Sequence, residues 1–285
     1  MNENGDRPRF PWLENVENVV CPHFGETAMD VNLKNKVAVV TGGTAGIGLA
    51  TAELYAREGA QVAICSSQQS NVERAVKALA GKGLKVYGEA VDVSSRQGMF
   101  SFADRVEKEF GGIDVWVSNA GIMIEKKIID TPEDLWQKTM DVNLKSVYYG
   151  GLIAADKIRK RGGGVLINAA SFASLIPSVG SGAYAASKAA IANMTRALAG
   201  ELAPFNIRVV GFIPGVIETP MTAGWIEKKG KVLAGQHALN RVGRAEEIAN
   251  ALLFLASDYA SFITGTCMEI TGGKFCVQNP ADAWA

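Results

Sequence analysis

Metal-binding side chains are scarce in this 285-residue chain, which has two histidines, His23 and His237, and four cysteines, Cys21, Cys65, Cys267 and Cys276, none in a C-x-x-C pair. That scarcity argues against a zinc site, and unpaired thiols fit a reducing compartment. Lysine plus arginine and aspartate plus glutamate both total 29, so the formal net charge is zero. The chain lacks the basic excess by which nucleic acid is held. No apolar run approaches the ~20 residues of a membrane-spanning helix, and the N-terminal residues lack an apolar signal-peptide core. A cytoplasmic protein is expected. The length suits one large domain that buries about three quarters of its unfolded surface.

What is present begins with an irregular stretch. Residues 1–34 show no helical or strand period and carry Pro8, Pro11 and Pro22 as breakers. Phe10, Trp12, Leu13, Val19, Val20 and Phe24 make this arm more apolar than disorder usually tolerates, so packing on the same or a neighbouring subunit is expected. VAVV from Val37, the glycine turn TGGTAGIG from Thr41 to Gly48 and the amphipathic LATAELYAREG then read as strand, turn and helix. Gly42, Gly46 and Gly48 allow a tight turn and close approach of a pyrophosphate, with unpaired N–H groups at the following helix start. QVAIC, ending at Cys65, and LKVYGEAVDV read as further strands.

The chemistry gathers in residues 171–188. VLIN from Val165 reads as a buried strand, and the Ala-rich run from Tyr184 reads as a helix. Ser171 then lies just past a strand end. Tyr184 and Lys188, four residues apart, are offset by roughly 40° around the helix axis and face the same way. A cation there favours phenolate, which would bring Tyr184 below the ordinary ~10 and make it an acid or base near neutrality.

A serine thirteen residues before Tyr-x-x-x-Lys, together with TGGTAGIG after Thr41, resembles the classical short-chain dehydrogenase/reductase family. The resemblance runs from residue 35 to 275. It implies a Rossmann-like, doubly wound parallel α/β sheet over residues 35–285 and an NAD(P)-dependent alcohol/carbonyl oxidoreductase. Tyr184 would donate the proton, Lys188 would lower its pKa and bind ribose, Ser171 would stabilise charge on the carbonyl oxygen, and Asn143 would support a water beside Lys188. Gly42, Thr44, Gly46, Ile47 and Gly48 would form the phosphate turn. Asp92 and Val93 would hold adenine, and Asn119, Ala120 and Gly121 match the family's N-N-A-G turn, with Ser118 in its first position. Pro214, Gly215, Ile217 and Thr219 match P-G-x-x-x-T beside the carboxamide, and residues 221–237 would be a mobile lid. Departures are Ile270 and Thr271 in place of the usual Val-Asp. The stretch from Ser66 to Gln69 has neither the acid that binds ribose nor a cation for a 2′-phosphate, and Ala45 stands where NADP-preferring relatives often carry a base, so NAD is expected over NADP. Small residues, Gly150, Gly151, Ala154 and Ala155 with Ala185, Ala186, Ala189 and Ala190, allow close helix packing. That fits a homodimer or homotetramer, and core packing within one subunit is the equally simple alternative.

By the same resemblance the pocket is lined by Ile122, Met123, Phe172, Leu175, Ile176, Val179, Met221 and Trp225. Such a surface suits a bulky apolar ketone or alcohol, since each buried CH₂ is worth about 0.8 kcal/mol. A steroid leads, and PRFPWLENVENVV joined to this domain is similar, more weakly, to bacterial 20β-hydroxysteroid dehydrogenases. The alternatives are a 3-oxoacyl reductase working on a carrier protein, which would need a basic patch at the mouth, a small-ketone or polyol dehydrogenase, and a catalytically silent binding protein.

Overall fold

Short runs of β-branched residues, buried on both faces, build the centre of the molecule. The computed structural model describes residues 31–274 and 276–284. VAVVT forms β1 (Val37–Thr41), with all five residues buried. It is followed by β2 (Gln61–Ser66), β3 (Val86–Ala90), β4 (Val115–Ser118), β5 (Gly164–Ala169), β6 (Ile207–Pro214), the short β7 (Ile217–Glu218) and β8 (Gly243–Arg244), and β9 (Cys267–Ile270). Seven of these make one parallel sheet in the order β3-β2-β1-β4-β5-β6-β9, and β7 pairs with β8. The order reverses between β1 and β4, which opens a crevice beyond their carboxyl ends.

The connections are helices: α1 (Gly46–Arg57), α2 (Gln69–Ala80), α3 (Arg96–Phe110), α4 (Glu133–Met140), α5 (Ser146–Ile153), α6 (Gly182–Leu202), α7 (Ala223–Gly235) and α8 (Ala245–Ala256). Strand alternation divides the core between the two faces of the sheet. Val40, Ile64 and Phe212 pack with Tyr55 of α1 and Leu252 of α8, while Val39 and Trp116 pack with Phe102 of α3 and Ile153 of α5. The buried Tyr55 hydroxyl donates to the Leu252 carbonyl at 2.8 Å, joining α1 to α8.

One expectation changes at this level. Leu33, placed in the arm by its sequence, is 1% exposed and belongs to the core, and Val31 packs against it. The folded unit therefore includes Val31–Lys34. The aromatic and apolar arm residues Phe10, Trp12, Leu13, Val19, Val20 and Phe24 lie outside the described residues. Of the small-residue positions, Gly150 sits against Trp116 and Ser118, and Gly151 against Leu198, within the chain. Ala186 and Ala189 face outward on α6.

Candidate active site

β5 ends at Ala169 and Ser171 follows with its backbone extended (φ −167°), so its hydroxyl emerges at the carboxyl edge of the sheet. The chain makes one loop and enters α6, whose third residue is Tyr184 and whose next turn carries Lys188. Ser171 and Lys188 are buried, at 3% and 4% exposure. The Ser171 Oγ accepts from the Ala173 N–H at 3.2 Å. The Lys188 Nζ donates to the Ala169 carbonyl at 2.7 Å and stands 5.7 Å from the centre of the Tyr184 ring. The i, i+4 reading thus brings the three side chains into one place.

Their electrostatics differ from the sequence expectation. Burial raises Tyr184 above its ordinary value of 10.0, and a hydrogen bond with the Ser171 side chain offsets only part of that. Burial also pushes Lys188 down to about 8. A phenol lowered by its neighbouring ammonium is therefore not what this state contains, because the loss of water outweighs the hydrogen bond with Ser171. Tyr184 holds its proton at neutral pH.

Asn143 is fully buried. It lies in a π-helical turn, Asp141–Lys145, between α4 and α5, a geometry that often marks functional positions. Its Oδ1 accepts from the Ile122 N–H at 2.8 Å, and its Nδ2 donates to the Ile122 carbonyl at 3.0 Å and to Ser187 Oγ at 3.1 Å. The loop after β4 is thereby fixed to the helix turn that carries Lys188. A Cβ on Gly121 would come within 3.2 Å of Asn143 Oδ1 and 3.6 Å of Lys188 Nζ.

The glycine turn fits a dinucleotide on geometric grounds. Gly42 and Gly46 have φ of +65° and +52°, and a Cβ on Gly42 would lie 2.9 Å from the Ala120 Cα. α1 begins with no side-chain cap and no acid in its first turn, so its first N–H groups are open to an anion. In front of it a cleft, ≈ 780 Å³ with its open mouth, runs past Gly46, Ile47, Asn119, Gly121, Tyr184, Lys188, Pro214 and Thr219. Gly48 is needed inside instead: a Cβ there would sit 2.2 Å from the Gly42 carbonyl oxygen. Thr44, Ser66, Asp92 and Val93 do not line this cleft. Ser66 closes β2, and Asp92 accepts from the Ser94 N–H and hydroxyl at 2.9 and 2.7 Å, making its own turn ahead of α3.

A second cleft, ≈ 620 Å³ with its open mouth, meets the first at Tyr184, Ile47 and Thr219. Met123, Phe172, Met221 and Trp225 line it as expected, together with Gly215 and Ile217. Ile176 does not. A 3₁₀ turn at Phe172–Ser174 leaves Leu175, Ile176 and Val179 facing solvent at 55%, 48% and 92% exposure. Ile122, whose backbone Asn143 holds, is also absent from the lining. Ser178, Ser181 and Thr222 occupy it instead, and a sequence that gives no loop path could not have revealed them.

Two further positions were not singled out by sequence. The Thr41 hydroxyl accepts from the Asn119 and Ala120 N–H groups at 3.0 and 3.1 Å and donates to the Val117 carbonyl at 3.2 Å, so it binds the glycine turn to the turn after β4. The Asn119 amide returns hydrogen bonds to the Thr41 and Gly42 carbonyls. His237, 1% exposed, bridges α7 and the loop after β6. The lid segment itself is helical, with a break at Lys229 (φ −138°, ψ 23°).

Residues 42–274 match the family model described as enoyl-(acyl carrier protein) reductase. The chain is 37% identical to the 3alpha-hydroxysteroid dehydrogenase of Mediterraneibacter gnavus, over 86% of its own length and 98% of that protein. It is 37% identical to the 3-oxoacyl-[acyl-carrier-protein] reductase of Thermotoga maritima, over 85% and 99%, and 36% identical to the cyclopentanol dehydrogenase of Comamonas testosteroni, over 85% and 97%. Among solved structures, a short-chain type dehydrogenase/reductase from Mycobacterium marinum superposes with a TM-score of 0.83 at 34% identity, covering 87% of this chain and 98% of that one. The chain belongs to the short-chain dehydrogenase/reductase family. It is an NAD(P)-dependent oxidoreductase acting on alcohols and ketones.

Proposed function

We propose that this enzyme uses NAD(H) to interconvert a ketone and a secondary alcohol on a bulky apolar substrate, with a hydroxysteroid as the leading class. The observation that carries this is the cleft at Tyr184 and Ser171, walled by Ile47, Met123, Phe172, Val216, Met221 and Trp225. Burying such a substrate against these side chains supplies about 25 cal/mol per Å² of apolar surface, and ligand clefts are typically lined by apolar and aromatic side chains of this kind. The relative named a 3alpha-hydroxysteroid dehydrogenase supports the same class.

In the reducing direction the proton on Tyr184 goes to the carbonyl oxygen. The Ser171 hydroxyl donates a hydrogen bond to the charge developing there, and the Lys188 ammonium stabilises the phenolate that remains. Asn143 keeps Gly121, Ile122 and Ser187 in register with Lys188. The nicotinamide, when bound, supplies or accepts the hydride. Gly42, Gly46 and the uncapped start of α1 would hold its pyrophosphate, and Asp92 and Val93 its adenine end. Pro214, Gly215, Ile217 and Thr219 would hold the carboxamide. Preference for NAD is supported by the uncharged stretch from Ser66 to Gln69 and by Arg74, which is engaged by Asn71 Oδ1 at 2.6 Å.

One observation favours an acyl-carrier reductase as a second reading: Lys126 and Lys127 beside the mouth, and Lys228, Lys229 and Lys231 on α7, are exposed. A panel of steroids, acyl thioesters, polyols and small ketones, followed by NADH absorbance and repeated with NADPH, tests both. Highest kcat/KM on a steroid with NADH is expected. Best turnover of a polyol or short ketone with steroids inert would reject the apolar-pocket reading, and best turnover of a carrier-bound thioester would select the second.

A further inference from the structure

Behind the pocket wall three elements converge on one buried ammonium. Lys274, beyond β9, is 6% exposed. Its Nζ donates to Gln236 Oε1 at 2.6 Å and stands 4.6 Å from the centre of the Phe172 ring. Gln236 is the C-cap of α7, and Phe172 lines the substrate cleft. The next residue, His237, repeats the connection one step along. Its Nδ1–H meets the Leu233 carbonyl in α7 at 2.7 Å, and its Nε2 accepts from the Val216 N–H at 3.3 Å. Val216 lines the same cleft. Burial, with the charge of Lys274 adding to it, holds His237 below its ordinary 6.5, so its ring is neutral and Nε2 stays an acceptor.

Both tethers attach to the last turn of α7, beyond the break at Lys229. Trp225, which reaches the cleft, lies before that break. A buried ammonium is an expensive way to fill space, since an apolar side chain of similar volume is often as stable or more so. Burial does cost Lys274, which is pushed down to about 8. What the ammonium adds over a hydrocarbon is direction: a charge-assisted hydrogen bond to α7 and attraction to the ring face of Phe172.

We propose that Lys274 is a positioning residue for substrate: with His237 it clamps the C-terminal half of α7 to the pocket wall at Phe172 and Val216. The part of α7 ahead of Lys229 then opens and closes against a fixed base. The inference rests on the reading of this cleft as the substrate site.

The test compares Lys274→Met, Lys274→Arg and Gln236→Ala in the full-length enzyme. Lys274→Met is expected to bind NADH with unchanged affinity. Its KM for the best ketone of the panel should rise about tenfold, the equivalent of one ~1.4 kcal/mol interaction, with kcat within about twofold of wild type. Tryptic cleavage after Lys231, in the clamped half, should quicken. Lys274→Arg should restore part of both effects, and Gln236→Ala, which leaves the lysine in place, should reproduce them more weakly. Unchanged KM and unchanged proteolysis in Lys274→Met and Gln236→Ala would overturn the clamp, as would an equal loss of NADH affinity. If the wild type turns over none of the panel, the functional reading fails by itself, and the proteolysis still decides the clamp.

Discussion

Replacing Lys188 by methionine should make the protein inactive and, at neutral pH, no less stable. A fall from the ordinary 10.5 to about 8 means that roughly 3 kcal/mol is held against the ammonium at pH 7, at about 1.4 kcal/mol per pKa unit. Losing the hydrogen bond to the Ala169 carbonyl returns about 1–2 kcal/mol of that. The methionine variant should therefore be more stable by about 1–2 kcal/mol at pH 7. The sign of the pH dependence follows from linkage. The folded value lies below the unfolded one, so the unfolded chain binds more protons between about 8 and 10.5, and wild-type stability rises through that window. The variant has no such gain. Its advantage should shrink by about 2 kcal/mol between pH 7 and pH 9.5, or roughly 4–8 °C in relative melting temperature. Paired thermal melts at the two pH values measure it. A gap that stays constant across them, or a variant that melts well below wild type at pH 7, would show that the ammonium is not held at a desolvation cost.

Tyr184→Phe should lower kcat at least tenfold, a barrier increase of about 1.4 kcal/mol or more, while NADH fluorescence titration gives an unchanged Kd, because the proposed role of the phenol is toward substrate. Asn143→Ala leaves the part-buried N–H and carbonyl of Ile122 without their partner. At about 1–3 kcal/mol for each group, it should lower the melting temperature by several degrees and kcat with it. Gly48→Ala puts a Cβ 2.2 Å from the Gly42 carbonyl oxygen. It should cost about 1–3 kcal/mol in a melt and weaken NADH binding in the same titration, and an unperturbed variant would mean that the turn yields easily.

The central strands could be read in the sequence as short apolar runs, most of them buried, while the doubly wound order of the sheet was legible only through the resemblance to the family. The Tyr-x-x-x-Lys spacing was legible as well: helical period fixes relative direction without knowledge of the rest of the chain. The loop after Ser171 has no such period. Its apolar residues were assigned to the pocket as a group, and the turn at Phe172–Ser174 sends Ile176 outward while Ser178 and Ser181 return. Asn143 was legible only through the resemblance, because burial is a tertiary property and a π-helical turn has no clear signature in composition. Tyr184 shows the same limit in electrostatics. Spacing supplies the neighbouring cation, but the water removed from both groups depends on everything packed around them.

The contrast among buried lysines carries that point further. Lys157, 5% exposed, meets Asp104 and Glu107 carboxylates at 2.6 Å each and is held above its ordinary value, as a structural ion pair should be. Lys188 and Lys274 are as deeply buried, yet both are pushed down to about 8. The hydrogen bond from Lys188 to the Ala169 carbonyl does not return what burial removes. A lysine kept under that cost is more simply explained by what its ammonium does than by the space it fills. Lys188 faces the cleft beside Tyr184, and Lys274 stands behind the Phe172 wall of the adjoining one. Lys188 therefore stands where proton transfer is proposed to occur, and Lys274 stands one side chain behind the proposed substrate cleft.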